Sequence, residues 1–156
     1  MKNLYTKLTT RDERGFTLIE LLVVIAIIAV LAALVLAALS SAQRGSRDSK
    51  RRSDVNTYKT GLVQYQADKG NYPTAATSTN IATDATLGTE LSPYVSPRPT
   101  PPTSGDAAQT TYGYFGATDN FCISVKSERN NAQFIVATPT STFNDKTAAC
   151  AAANTY

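Results

Sequence analysis

Between Glu20 and Arg44 the chain carries no charged residue. A helix over these twenty-three positions, Leu21 to Gln43, would be about 35 Å long, enough to cross a hydrocarbon layer of about 30 Å. The run from Leu21 to Leu39 is apolar all round rather than on one stripe. It therefore has no polar face to give to water, and a membrane or a bundle of like helices has to cover it. A single carboxylate, Glu20, stands at the head of this run, five residues after Gly15. A carboxylate beside a membrane span costs up to a few kcal/mol unless it is paired, protonated or near the interface, so Glu20 is expected in one of those three states. A secretory signal would have an apolar core of about 7–15 residues and then small residues at a cleavage site. Ala37, Ala38, Ser40, Ser41 and Ala42 offer such a site, but the run is longer than a signal core, and a signal has no use for Glu20.

Arg14-Gly15-Phe16-Thr17-Leu18-Ile19-Glu20 followed by LLVVIAIIAVLAALVLAAL resembles the N-terminus of type IV pilins and their pseudopilin relatives. The resemblance implies cleavage after Gly15 by a membrane prepilin peptidase and methylation of the new N-terminal Phe16. It further implies that Glu20 acts in filament assembly, facing the N-terminal amine of a neighbouring Phe16. Met1–Gly15 would be the leader, with Lys2, Lys7, Arg11 and Arg14 against Asp12 and Glu13. Two departures from the family pattern concern the apolar helix. Many type IV pilins have a proline near its middle, where this chain has Ala37, and a glycine earlier, where this chain has Ala29.

The expected organisation is a leader at 1–15, a transmembrane and assembly helix at 16–43, and a pilin-like globular domain at 44–156. That domain divides into an amphipathic helix at 44–70, a loop region at 71–110, and a β-meander with its tail at 111–156. Val55, Tyr58, Leu62 and Tyr65 recur at spacings of three, four and three, which places them on one helix face, directed at a sheet. Lys50, Arg51, Arg52, Asp54, Lys59 and Asp68 are expected to face water. Gly45 and Gly61 each weaken a helix by up to about 1 kcal/mol. Gly70 should end it, and Asn71-Tyr72-Pro73 prevents its continuation; the family helix commonly ends in the same Gly-x-Tyr-Pro turn.

Six of the seven prolines lie between Pro73 and Pro102, so regular structure is expected there only as a short helix near Leu87–Tyr94. Pro97–Pro102 favours extended geometry on the surface. Thr111–Phe115, Phe121–Val125 and Gln133–Ala137 are rich in aromatic and β-branched residues and read as strands, with turns at 116–120 and 127–131. The fold class expected is α+β: a long N-terminal helix packed on a small antiparallel β-meander, as in pilins.

Cys122 and Cys150 are the only cysteines. An even count in an exported domain suggests a disulfide, with two buried free thiols as the alternative. The chain has no histidine and no tryptophan, so a Cys/His zinc site is excluded and a nucleophilic cysteine would lack the usual base. No catalytic residue, metal or cofactor is expected. Asp119 and Asn120 are too few for calcium, which takes six to eight oxygen ligands.

Arg44, Arg47, Lys50, Arg51 and Arg52 outnumber the leader's four cations, so the positive-inside rule alone leaves the orientation ambiguous or reversed. The resemblance implies a cytoplasmic leader and an external globular domain. The five cations suit lipid headgroups beyond the span. DNA along a filament is the sharper reading, but no base-stacking aromatics lie among them.

The function implied is that of a structural subunit, anchored once in the cytoplasmic membrane and then polymerised into a helical homo-oligomer at the cell exterior. Its implied partners are the peptidase, an assembly ATPase and a platform protein. A pseudopilin of a type II secretion or competence system, working in the periplasm, is the alternative. A membrane-anchored binding module that never polymerises is the third reading.

Overall fold

Helix α1 runs from Leu18 to Lys69 without interruption, the one long helix expected from Phe16 to about Lys69. The computed structural model describes residues 15–103, 107–141, 144–146 and 148–150. The leader up to Arg14 and the tail beyond Cys150, including Ala151 to Ala153, lie outside the described residues. The chain divides into two units, the first ending at Leu39 and the second beginning at Ser40.

In the first unit α1 exposes its large apolar side chains on every side; Val30 is 63% and Leu34 67% exposed. Among the described residues α1 is the one helix long and apolar enough to cross a membrane.

In the second unit α1 contributes one buried face. Val55, Tyr58 and Leu62 are fully buried, and Tyr65 packs beside them, as the spacing predicts. Burying a side chain such as Leu62 stabilises by about 1.5–3 kcal/mol. Gly70 adopts φ +80°, the left-handed conformation that glycine reaches without penalty, and its N–H closes the last turn on Gln66 O at 2.8 Å.

Five antiparallel strands form one sheet in sequence order: β1 (Ala75–Asn80), β2 (Gly113–Ala117), β3 (Asn120–Lys126), β4 (Phe134–Ala137) and β5 (Asn144–Lys146). The expected meander is present as β2–β4. β1 lies within the stretch expected to be loop. Its AATSTN sequence has no aromatic or long apolar residue, and its pairing with β2 supplies the order that propensity does not. β5 was likewise not expected from the sequence.

Strand alternation gives the sheet two apolar faces. Tyr114, Phe121, Ile123, Val125 and Ile135 join the α1 stripe in the main core. Phe115, Cys122 and Val136 form a second cluster with Cys150. The Cys122–Cys150 disulfide ties the segment after β5 to β3, with a Cα–Cα distance of 6.0 Å.

The connection from β1 to β2 is anchored to the core. It contains helix α2 (Ala85–Leu91), which begins two residues before the expected one and ends three before it, capped by the Asp84 carboxylate on Leu87 N–H at 2.8 Å. Its proline-rich part is held down: the Tyr58 hydroxyl donates to Pro99 O at 2.7 Å, and Arg98 donates to Asp84 O at 2.8 Å. Val95 of the same connection packs on Gly61 so closely that a Cβ there would lie 2.1 Å from Val95 Cγ2. The helix-weakening Gly61 is thus the point where the connection reaches α1.

Candidate functional site

The segment from Gly15 to Val24 is the site the sequence singles out, and local hydrogen bonding organises its start. Thr17 is the residue before α1. Its hydroxyl accepts from Glu20 N–H at 3.3 Å, while Glu20 Oε2 accepts from Thr17 N–H at 2.9 Å and from the Thr17 hydroxyl at 2.6 Å. This is a capping box: threonine and glutamate three residues apart satisfy each other's otherwise unpaired backbone donors. The carboxylate also lies at the positive end of the helix dipole, where negative charge is stabilising. Glu20 therefore has an intramolecular role before any neighbour is present. Phe16, Ile19, Val23 and Val24 line an apolar surface around it.

Thr17 was not singled out from the sequence, although the signal is there. Thr17-Leu18-Ile19-Glu20 directly before an apolar run is the written form of a capping box.

The basic cluster after the span is mostly engaged within the fold. Arg51 is fully buried. It donates through Nη1 to Asp48 at 2.8 Å and to Glu128 at 3.3 Å, and through Nε to Gln109 O at 3.0 Å. Arg47 grips the same Glu128 with two donors, Nε at 2.8 Å and Nη2. Lys50 pairs with Asp54, whose other oxygen accepts from the Tyr112 hydroxyl at 2.6 Å. The expectation that Arg51 and Asp54 face water is overturned: both are buried, because each has a partner on the sheet side of α1. A headgroup or DNA contact through Arg51 is overturned for the same reason, since no external phosphate can reach it. Arg44 and Lys50 stay exposed, and Arg47 and Arg52 are half-buried.

Asp48 is the centre of this group. Its carboxylate accepts from Arg51, from the Ser127 hydroxyl at 2.7 Å, and from the N–H groups of Glu128 at 2.9 Å and Arg129 at 2.8 Å. Burial alone pushes the Asp48 carboxyl up, but these bonds outweigh it and hold it below the usual carboxylate range. The hydrogen bond from Arg47, with help from Arg51, likewise holds Glu128 low. The group bolts the first turns of α1 in the second unit to the β3–β4 turn.

The tyrosines of the core serve packing. Burial pushes Tyr58 up to about 12, and Tyr112 and Tyr114 are also raised chiefly by burial, so all three stay neutral at ordinary pH. Among the described residues no three His, Cys, Asp or Glu side chains gather as metal ligands.

Residues 10–36 match the family described as the prokaryotic N-terminal methylation motif, the signature of type IV pilins and pseudopilins. The motif supports a precursor of the pilin or pseudopilin kind, made to be processed by prepilin peptidase and anchored in a membrane before assembly. It points to a structural subunit rather than an enzyme. No curated protein and no solved structure matches the chain.

Proposed function

We propose that this chain is the structural subunit of a type IV pilus or pilus-like filament. Prepilin peptidase cuts after Gly15, and Phe16 is methylated. The helix from Phe16 to about Gln43 anchors the subunit in the cytoplasmic membrane and then packs against its copies in the filament core. Residues 44–156 form the outer surface at the cell exterior. The observation that carries this reading is the pairing of the methylation motif with an apolar helix exposed on every side. A helix of that kind needs lipid first and like helices afterwards. Polymerisation proceeds with an assembly ATPase and a platform protein. Glu20 has two successive partners, Thr17 within the subunit and the amine of a neighbouring Phe16 in the filament; in a low-dielectric core that ion pair favours one axial register, although desolvation offsets much of its attraction.

A pseudopilin of a secretion or competence machine is the second reading. The Gly70-Asn71-Tyr72-Pro73 turn leading into a small meander supports it.

Glu20→Val tests the assembly role. An anchor gives up only the local cap on Thr17 and is spared a carboxylate at the bilayer edge, whereas a filament subunit also leaves a neighbour's amine buried and unpaired. The variant should reach the membrane at the parent's level and enter filaments poorly. Assembly equal to the parent's would contradict the role given to Glu20 and favour a module that never polymerises.

A further inference from the structure

A polar recess of about 190 Å³ lies between α1 and the β3–β4 turn, wholly within the second unit. Ser49 and Arg52 line it from the helix, and Arg129, Asn130 and Gln133 from the turn. Asp48 and Ser127, both buried, complete its lining. The bonds from the Ser127 hydroxyl and Arg129 N–H to Asp48 join the two walls, so the recess is preformed. It has room for one small polar group and falls short of the roughly 300 Å³ that a drug-sized ligand takes.

The chemistry of the lining favours an anion. The one carboxylate in it is already satisfied. Donors from Arg51, Ser127, Glu128 and Arg129 fill the roughly four lone-pair sites of Asp48. The buried Arg51 also pairs with its charge, at 2.8 Å. Glu128, next to Arg129 in the chain, is held in the same way by Arg47 and Arg51. The remaining groups are mainly donors. Asn130 Oδ1 accepts from Ala132 N–H at 3.2 Å, which leaves its NH2 to donate. Gln133 brings a second amide, and Arg129 is exposed. Arg52 has an interaction of its own within the fold, so the charge of the site rests on Arg129.

We propose that this recess binds one phosphate group, with Arg129 as its cationic ligand and the Asn130 and Gln133 amides beside it. A planar guanidinium presents two parallel N–H groups that match two phosphate oxygens, which an ammonium does not. The α1 wall starts at Gly45, directly after Arg44, the first charge beyond the apolar run. There an anchored chain leaves the hydrocarbon for the headgroup layer, where phosphate is abundant. Phospholipid phosphate and free phosphate share this chemistry, and the experiment separates them. The site does not depend on polymerisation.

The test uses the full chain, disulfide intact, in an uncharged and phosphate-free detergent. Inorganic phosphate is titrated in at constant ionic strength, and the side-chain amide signals of Asn130 and Gln133 are followed by NMR. They should shift saturably with phosphate and stay in place with chloride. Arg129→Gln should weaken binding by about tenfold, the effect of losing one charge-assisted hydrogen bond. Ser49→Asp, at an exposed position whose hydroxyl donates to Gly45 O, places a carboxylate on the wall and should weaken binding through repulsion. Lys69→Gln removes the same charge twenty residues further along α1, a rise of about 30 Å, and should leave binding unchanged. Shifts that do not saturate, or that chloride reproduces, would overturn the proposal. Equal losses in Lys69→Gln and Arg129→Gln would overturn it too, since they would trace the effect to net charge. Nanodiscs containing phosphatidylglycerol then identify the source. Recess signals that move on transfer into them and no longer respond to added phosphate assign the site to the lipid headgroup; signals that respond as they do in detergent assign it to free phosphate.

Discussion

Asp48→Ala is the substitution with the largest consequence for the globular fold. Asp48 accepts bonds from four residues, and its loss leaves the Ser127 hydroxyl and the N–H groups of Glu128 and Arg129 without their acceptor. It also leaves Arg51, which is fully buried, with Glu128 as its one carboxylate, at 3.3 Å. Breaking a buried charge pair costs about 3–5 kcal/mol, and each stranded buried donor about 1–3 kcal/mol where water cannot reach it. Because water enters a newly opened site beside the exposed Arg129, we expect about 3–5 kcal/mol in total. Against a domain stability of about 5–15 kcal/mol, this is a large fraction. The assay is urea denaturation of the full chain in detergent, followed by the near-ultraviolet signal of the buried tyrosines. That signal comes chiefly from the second unit, which holds seven of the eight tyrosines; the eighth, Tyr5, precedes the span. A loss below about 1 kcal/mol, the range of exposed ion pairs, would refute the assignment of Asp48 as the bolt between α1 and the β3–β4 turn. Arg51→Met in the Asp48→Ala background should recover part of the loss, because it removes the orphaned charge while keeping the volume.

Other outcomes follow from the same geometry. Cys150→Ser should lower stability by about 3–4 kcal/mol in the chain-entropy model for a separation of 28 residues, read from the same denaturation curves. Gly61→Ala should destabilise by about 1–3 kcal/mol through overpacking against Val95 despite alanine's better helix propensity, and Val95→Ala should relieve it. Asp48 and Glu128 both have depressed folded-state pKa values. Their stabilisation is therefore fully present above the ordinary carboxylate range of about 4 and is lost as pH falls through their lower folded values. Unfolding midpoints should drop below pH 4 in the parent, and less so in Asp48→Ala.

The fold could be read from the sequence where periodicity was strong. Val55, Tyr58, Leu62 and Tyr65 announce the buried face of α1, and the three aromatic and β-branched runs become β2, β3 and β4. β1 and β5 could not be read, because AATSTN and NDK carry no strand signal; β1 is ordered by pairing with β2, far along the chain, and β5 by pairing with its neighbour β4. The misplacement of Arg51 has a sharper cause. Asp48 and Arg51 extend the Val55–Tyr58–Leu62 stripe backwards at the same spacing of three and four, so they lie on the buried face. A charged residue on a buried stripe needs partners: Asp48, three residues before Arg51, is local, but Glu128 is 77 residues away, beyond any local pattern. At the N-terminus the reverse holds. Thr17 and Glu20 are three residues apart, and their reciprocal capping is local chemistry that the sequence spells out.

The central claim is that this chain is processed as a prepilin, and the N-terminal peptide of the mature protein tests it most directly. Mass spectrometry of the chain recovered from membranes or sheared filaments should find Phe16 as the first residue, carrying one added methyl group, and Gly15→Leu should keep the leader attached. A mature protein beginning near Ala42, as after signal-peptide cleavage, or one that keeps Gly15 joined to Phe16 in the parent, would contradict the account.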